Sequence, residues 1–270
     1  FTRNVGGKGL NQSVALARAG AEVYHAGAIG TDGELLREQL ASSGAHLDYL
    51  QTLDMPSGHT ALQVTPDGQN CIIVCAGSNA RLTKDYIDRV LADFGPGDVM
   101  LVQNEVSNVP YMIRQAKARG LQVAFNASPI TDSILSYPLE LVDYYLINET
   151  EGRALSGCEA TDYETILAAL HEKFPAAAIV LTVGADGVLY QHGDERYTHG
   201  IYRVQAVDTT AAGDTFCGFF LASLAKGLSV PQALENASLA SALAVSRPGA
   251  CSSIPTWSEM EAFAKTAQAR

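Results

Sequence analysis

Asp98-Val99-Met100-Leu101-Val102-Gln103, Leu121-Gln122-Val123-Ala124-Phe125, Tyr144-Tyr145-Leu146-Ile147 and Ala178-Ile179-Val180-Leu181-Thr182 decide the fold. Each is a short apolar run with little polar alternation, as expected of a strand buried on both faces. Helical spacing separates them, at 111–119, 149–155 and 163–173. Buried strands alternating with helices predict an α/β fold: a mostly parallel central sheet with helices on both faces. Toward the N-terminus the same rhythm gives a helix over 11–19 with Gly20 at its C-cap, an apolar run over 23–29, and a helix over 33–43 ending at Gly44. The last third reads as three helices, 213–225, 230–245 and 258–268.

Two stretches break the rhythm. Residues 59–75 read as strand, turn, strand through Pro66-Asp67-Gly68, and 188–197 as a hairpin through His192-Gly193-Asp194. Both strands of the first hairpin carry apolar residues at alternate positions, which suits a small β lid or an association surface. With no repeat, low-complexity tract or linker, one domain over 1–270 is expected, with residues 46–76 as the lid segment.

Composition narrows the function. The 270 residues carry 18 Lys and Arg against 29 Asp and Glu, net −11, which argues against a nucleic-acid or anionic-membrane surface. The longest stretch without a charged residue, 68–80, is far shorter than the ~20 residues a bilayer-spanning helix needs. Five scattered cysteines without C-x-x-C spacing suit a reducing, cytoplasmic setting, and Cys71 and Cys75 look like buried strand residues. No GxxxxGK[ST], strand-linked GxGxxG or GxSxG is present, so P-loop enzymes, dinucleotide oxidoreductases and α/β-hydrolases drop out.

The strongest chemical candidate is Asp208-Thr209-Thr210-Ala211-Ala212-Gly213-Asp214-Thr215-Phe216, which follows an extended segment and opens a helix. Small residues let the backbone N–H groups of 211–214 turn toward one point, and the helix N-terminus behind them completes an anion site. Asp214 beside that site could take a proton from an attacking hydroxyl. A lone Asp there would ordinarily be a first-turn helix carboxylate. Two aspartates bracketing Ala-Ala-Gly are harder to read that way.

This segment resembles the signature of the ribokinase-like carbohydrate kinases. Gly6-Gly7-Lys8-Gly9-Leu10-Asn11-Gln12 is similar to that family's sugar segment, Asn148-Glu149-Thr150-Glu151 to its NxxE motif, and Thr182-Val183-Gly184-Ala185-Asp186-Gly187 to its nucleotide loop. The four lie in the family's order across nearly the whole chain. The resemblance implies a ribokinase-like fold and an ATP-dependent sugar kinase, nearest to the branch acting on the primary hydroxyl of a pentose such as D-ribose. Other family acceptors are fructose, deoxyribose and nucleosides; a binding protein without turnover is the reading from another class.

Residue by residue, the resemblance implies that Asp214 is the base, with the backbone of Ala211, Ala212 and Gly213 stabilising the transferred phosphoryl group. Gly7, Lys8, Gly9 and Asn11 would meet the sugar, joined by Glu105 at the end of a strand, where ligands of open α/β sheets bind. Asn148, Thr182, Gly184, Ala185, Gly187, Gly213 and Ser238 would line the nucleotide. Helix capping, turn geometry and packing are the competing readings for Asn11, for the Asn148–Glu151 pair, for the glycines and for Ser238. Glu151 would order Mg2+ indirectly. Asp208, Thr210, Ala244, Arg247, Gly249 and Ser253 would surround a monovalent cation, K+ by analogy, mostly through carbonyl oxygens. Arg247-Pro248-Gly249-Ala250 departs from the family's usual basic residue at its second position. The resemblance further implies a homodimer paired through the lids. The family opens with a strand bearing a sugar-binding Asn and Asp, followed by two lid strands; none precedes the loop at Val5, so upstream residues are expected to be missing from this sequence.

Overall fold

The structure, a computed structural model, describes residues 4–64 and 70–269. Its main sheet contains six strands: β5 (Val99–Gln103), β6 (Gln122–Asn126), β7 (Tyr144–Asn148), β8 (Ala178–Thr182), β9 (Val188–His192) and β10 (Glu195–His199). They run in the spatial order β10-β9-β8-β7-β6-β5; β5 to β8 are parallel, while β9 and β10 are antiparallel. The four apolar runs are therefore the four parallel strands. The hairpin expected at 188–197 is β9–β10, turning at Gly193 with φ 54°.

Nine helices are present among the described residues. α1 (Lys8–Arg18), α2 (Glu34–Ser43), α7 (Ala212–Ala225), α8 (Val230–Val245) and α9 (Trp257–Ala264) enclose one core with the sheet, around Val14, Leu40, Phe219, Phe220 and Leu234. α3 (Lys84–Leu91), α4 (Val109–Ala118), α5 (Glu149–Ser156) and α6 (Tyr163–Lys173) enclose the other, around Ile113, Phe125, Tyr145, Ile147 and Leu167. Adjacent strand residues divide between the two: Ala124 enters the first core and Phe125 the second, and likewise Leu146 and Tyr145. A ribokinase-like α/β fold with both faces covered is what the strand spacing and the resemblance implied.

Differences from expectation have local causes. The apolar run at 23–29 forms a strand only at β1 (Gly27–Gly30), with an isolated bridge between Tyr24 and His46 before it. β1 pairs in parallel with β2 (Leu50–Leu53), a strand not expected from the sequence. No ladder joins these two to β5 among the described residues. Ala28 nevertheless enters the second core and Ile29 the first, so β1 lies in line with the main sheet. Helix α3 was also not expected, although Thr83 caps it by accepting from the Tyr86 N–H and Tyr86, Ile87, Val90 and Leu91 recur at helical spacing. The last helix is shorter than 258–268.

The first expected hairpin is present as β3 (His59–Val64) and β4 (Asn70–Cys75), antiparallel in a separate two-stranded sheet. Its turn at Pro66-Asp67-Gly68 lies outside the described residues. Both faces meet solvent: Ile73 is 50% and Val74 71% exposed. Cys75 is therefore exposed, not buried as expected; the side chain of Cys71 lies outside the described residues. The hairpin's base is tightly built. Ser57 Oγ and N both donate to Asp32 Oδ1, at 2.7 and 2.8 Å, and Gly30 N donates to Ser57 Oγ at 2.8 Å. Among the described residues no helix is long and apolar enough to cross a membrane.

Candidate active site

Four strands deliver polar side chains to one edge. Gln103 pairs with Asn126 across β5–β6, and Asn148 with Thr182 across β7–β8, all at the carboxyl ends of parallel strands. Glu105 follows β5 directly. Two helices from elsewhere in the chain, α1 and α7, point their N-termini at this row and pack so closely that a Cβ on Gly218 would stand 2.4 Å from the Ala15 side chain. Sequence segments 6–12 and 208–216 are thereby brought together.

Asp214 is where they meet. It lies in the first turn of α7, 7% exposed. Asn11 Nδ2 donates to its Oδ2 at 2.9 Å and Gln12 Nε2 to its Oδ1 at 2.8 Å. Asn11 Oδ1 is buried without a partner, an acceptor that a hydroxyl group entering the site would satisfy. Glu105 Oε2 accepts from the Lys8 N–H at 3.1 Å, closing the N-terminus of α1. Burial pushes the Glu105 carboxyl up from its ordinary value, against the Lys8 N–H and ammonium, and the Asp214 charge pushes it further. Gly7 takes φ 103°, a backbone setting that favours glycine, to turn the chain into α1. Gly9 has a packing reason: a Cβ there would stand 3.1 Å from Gln103 Oε1.

The N-terminus of α7 has no side-chain cap. Ala211 sits at φ 61°, ψ 8°, a left-handed setting that costs a non-glycine residue ~1–2 kcal/mol. The Ala212 N–H donates to Thr209 O at 3.2 Å, so of the four N–H groups expected to face an anion it alone has a protein acceptor. Those of Ala211, Gly213 and Asp214 remain open among the described residues. A Cβ on Gly213 would meet nothing within 4 Å, so space for a ligand lies directly before them.

That space continues into a cavity of about 760 Å3, lined by Lys8, Glu151, Ala211, Ala212, Gly213 and Asp214 at one end. Asn148, Thr182, Gly184, Ala185, Gly187 and Ser238, the remaining residues expected to hold a nucleotide, line the same cavity. The sequence did not point to the wall formed by 201–204, Ala206, Ser241, Ala242 and Val245. These residues are mostly small or apolar and belong to no motif, so only their place in the fold marks them. Gly187 is fixed by packing too, since a Cβ there would lie 2.1 Å from His199 O. Asn148 and Glu151 form a full capping box, Glu151 N donating to Asn148 Oδ1 at 2.9 Å and Asn148 N to Glu151 Oε2 at 3.0 Å.

Of the six residues expected around a monovalent cation, three are joined directly. Asp208 accepts from Thr210 N at 2.9 Å through Oδ1 and from Gly249 N at 3.0 Å through Oδ2. Hydrogen bonding from the Thr210 side chain, then from the Thr210 and Gly249 N–H groups, holds its carboxyl below its ordinary value. Ala244 and Arg247 share a bond at the end of α8, Arg247 N to Ala244 O at 3.1 Å, while the Arg247 side chain turns to Glu259 at 2.9 Å. The Ser253 hydroxyl donates to Ala250 O at 2.8 Å, next to Gly249 in the chain. Among the described residues no group of three His, Cys, Asp or Glu side chains could hold a metal ion.

An uncapped anion site beside a buried carboxylate, at the mouth of a cavity on the carboxyl edge of an α/β sheet, defines a phosphoryl-transfer enzyme acting on an alcohol. Residues 1–257 match the family described as pfkB family carbohydrate kinase, and the chain belongs to it. The chain is 35% identical to a ribokinase of Haemophilus influenzae, over 96% of this chain and 86% of that protein. It is 30% identical to a deoxyribokinase of Salmonella typhi, over 95% and 86%. Among solved structures it is similar to Cryptococcus neoformans ribokinase in complex with ADP, with TM-score 0.85, 31% identity and coverage of 97% and 89%. Arabidopsis thaliana ribokinase complexed with ribose and ATP gives TM-score 0.85, 28% identity and coverage of 97% and 88%.

Proposed function

We propose that this chain transfers the γ-phosphoryl group of ATP to the primary hydroxyl of D-ribose, forming ribose 5-phosphate. The observation that carries the reading is the convergence of Asp214, the open N–H groups of α7 and the unpartnered Asn11 Oδ1 at the mouth of one cavity. The ribokinase relatives, one of them complexed with ribose and ATP, support the choice of substrates.

In this reading Asn11 and Glu105 accept sugar hydroxyls, and Gly7, Lys8 and Gly9 shape the loop beneath them. Asp214 accepts the proton of the attacking hydroxyl. A carboxylate is a weak base, but a loose phosphoryl-transfer transition state asks for proton removal only late. The N–H groups of Ala211 and Gly213, with that of Asp214, receive the charge that develops on the phosphoryl oxygens. Ala212 joins them by giving up its bond to Thr209 O. Asn148, Thr182, Gly184, Ala185, Gly187 and Ser238 hold the nucleotide.

Mg2+ supplies charge neutralisation on the phosphates when bound. Glu151 fits an indirect role toward it, because Oε2 is committed to the capping box and only Oε1 remains. K+ would be held through the loops that Asp208 ties together at Thr210 and Gly249, with the Ala244, Arg247 and Ser253 carbonyls nearby in sequence order. The domain reading is one body over 1–270 with the β3–β4 hairpin as its lid. The exposed Ile73 and Val74 suit pairing of two lids in a homodimer.

The test is sugar-dependent ATP consumption with Mg2+ and K+, using D-ribose, deoxyribose and fructose in parallel, beside Asp214→Asn. Ribose turnover reduced ~10²–10⁴-fold by the substitution is the expected result. Turnover on deoxyribose alone transfers the reading to that acceptor. No turnover on any sugar by the folded protein removes it.

A further inference from the structure

Asn11 accounts for one oxygen of Asp214; the other is held by an amide chain that begins at Gln12, the last residue of the sugar segment and one given no role above. Gln12, 1% exposed, donates from Nε2 both to Asp214 Oδ1 at 2.8 Å and to Asn126 Oδ1 at 3.1 Å, and its Oε1 accepts from Gln103 Nε2 at 2.5 Å. Asn126, 8% exposed, donates from Nδ2 to the Leu146 carbonyl at 2.6 Å. An amide has one donating and one accepting end, so these bonds fix each orientation in turn. The Leu146 carbonyl can only accept, which sets Asn126 with its oxygen toward Gln12. That oxygen can only accept, which sets the Gln12 NH2 toward Asp214. Gln103 holds the opposite end of Gln12 the same way, in space left by Gly9.

We propose that Gln12, oriented through Asn126 and Gln103, is a positioning residue for Asp214, holding the carboxylate aimed at the acceptor hydroxyl without bringing a counter-charge. The inference rests on the phosphoryl-transfer reading above and extends it to residues that never touch the substrate. A cationic partner would hold the carboxylate as firmly but would draw its negative charge away from the hydroxyl proton. Two neutral amides, Asn11 on one oxygen and Gln12 on the other, fix the rotamer and leave the charge in place. The bonds are buried, where a fixed dipole acts with little competition from water.

The other charged or titratable groups that feel the charge of Asp214 are Glu105 after β5, Cys217 on α7 itself and Cys251, while Lys8 on α1 and Glu151 on α5 line the same cavity. They remain in every variant below. Gln12→Met keeps the length of the side chain and removes both polar ends; Gln103→Met, at a half-buried position, removes only the anchor. Two measurements separate positioning from packing. One is kcat and KM for sugar and ATP; the other is the 13C chemical shift of the Asp214 carboxyl at fixed pH, recognised by its absence in Asp214→Asn. Gln12→Met is expected to lower kcat ~10–100-fold with both KM values within about threefold. Its Asp214 carboxyl resonance is expected to move, because one oxygen has lost its hydrogen bond. Gln103→Met is expected to show both effects in the same direction and smaller. If Gln12→Met does not fold, Gln103→Met decides the matter by the same two measurements. Unchanged kcat with a lowered Tm, or a lowered kcat with an unmoved Asp214 carboxyl resonance, overturns the proposal. Wild-type protein inactive on every sugar would remove the functional reading by itself, while the carboxyl resonance still decides whether Gln12 acts on Asp214.

Discussion

Two helix N-termini line the same cavity and are finished in opposite ways. That of α5 is closed by its own side chains, Asn148 and Glu151 each satisfying the other's backbone N–H. That of α7 has no cap, begins at a left-handed Ala211 and leaves N–H groups open toward the cavity. Both follow extended segments and both are rich in small or polar residues, so composition does not separate them. The unmet donors do: the N–H groups of Ala211, Gly213 and Asp214 have no protein acceptor among the described residues and line the cavity, where an anion would satisfy them. The N-terminus of α1 falls between the two, since the Lys8 N–H is closed by Glu105 from another element. The three ends divide the work. In the proposed function one would be a fixed wall, one would receive charge and one would exchange its partner for a substrate.

The largest effect should come from disturbing the open end. Ala211→Val places a β-branched residue at φ 61°, where Val is an outlier, and the chain must shift to accommodate it. A displaced donor at such a site lowers kcat by ~10²-fold, so a loss of that order with ATP KM little changed is expected from steady-state kinetics. Ala211→Gly keeps the backbone setting; relief of the left-handed cost and glycine's entropy loss nearly cancel, and stability should stay within about 1 kcal/mol with kcat retained. Equal losses in the two variants would show that the left-handed turn is not what aims the donors.

The closed end should respond through stability. Asn148→Ala removes the acceptor for Glu151 N, which costs ~1 kcal/mol and lowers Tm by a few degrees. Its ATP KM should rise, because Asn148 also lines the nucleotide cavity, while kcat remains within about threefold of wild type. A kcat loss matching that of Ala211→Val, with no fall in Tm, would mean that Asn148 serves the transferred phosphoryl group and that the contrast between the two ends is wrong.

How much of this was legible depended on where the signal resides. The four parallel strands were readable because apolar runs of strand length can hardly be anything else between helices. Asp214 and the small residues before it were readable because an anion site needs a particular residue pattern. The wall at Ala206 and, on α8, at Ser241, Ala242 and Val245 was not, since such residues serve packing and cavity equally well. β2 escaped notice because Leu50–Leu53 alternates weakly and depends on β1 for its partner. The apolar run at 23–29 overstated β1 because Tyr24 and His46 stack with ring centroids 4.5 Å apart and only a single bridge joins their backbones. Gly9 and Gly187 show the reverse failure: they stand in motifs, yet a Cβ on Gly187 would collide with the His199 carbonyl and one on Gly9 would crowd the end of the Gln103 amide.

The exchangeable end gives the smallest and most selective prediction. Burial raises the Glu105 carboxyl above its ordinary value, so part of its population is protonated at a pH where an ordinary glutamate is ionised. The sign follows for both folding and binding. A raised carboxyl favours the folded state below its unfolded value, and that contribution is lost as pH rises through the folded one. Binding runs the other way, because accepting a sugar hydroxyl and the Lys8 N–H together is stronger for the carboxylate than for the acid. Sugar KM should therefore rise as pH falls through the Glu105 titration, with the midpoint above that of an unperturbed glutamate. Glu105→Gln retains an acceptor for the Lys8 N–H but has no charge to lose, so its KM should lie about fivefold higher at neutral pH and no longer depend on pH in that range. If KM in Glu105→Gln still follows the wild-type pH dependence, the titrating group is another one, and the N-terminus of α1 is closed as permanently as that of α5.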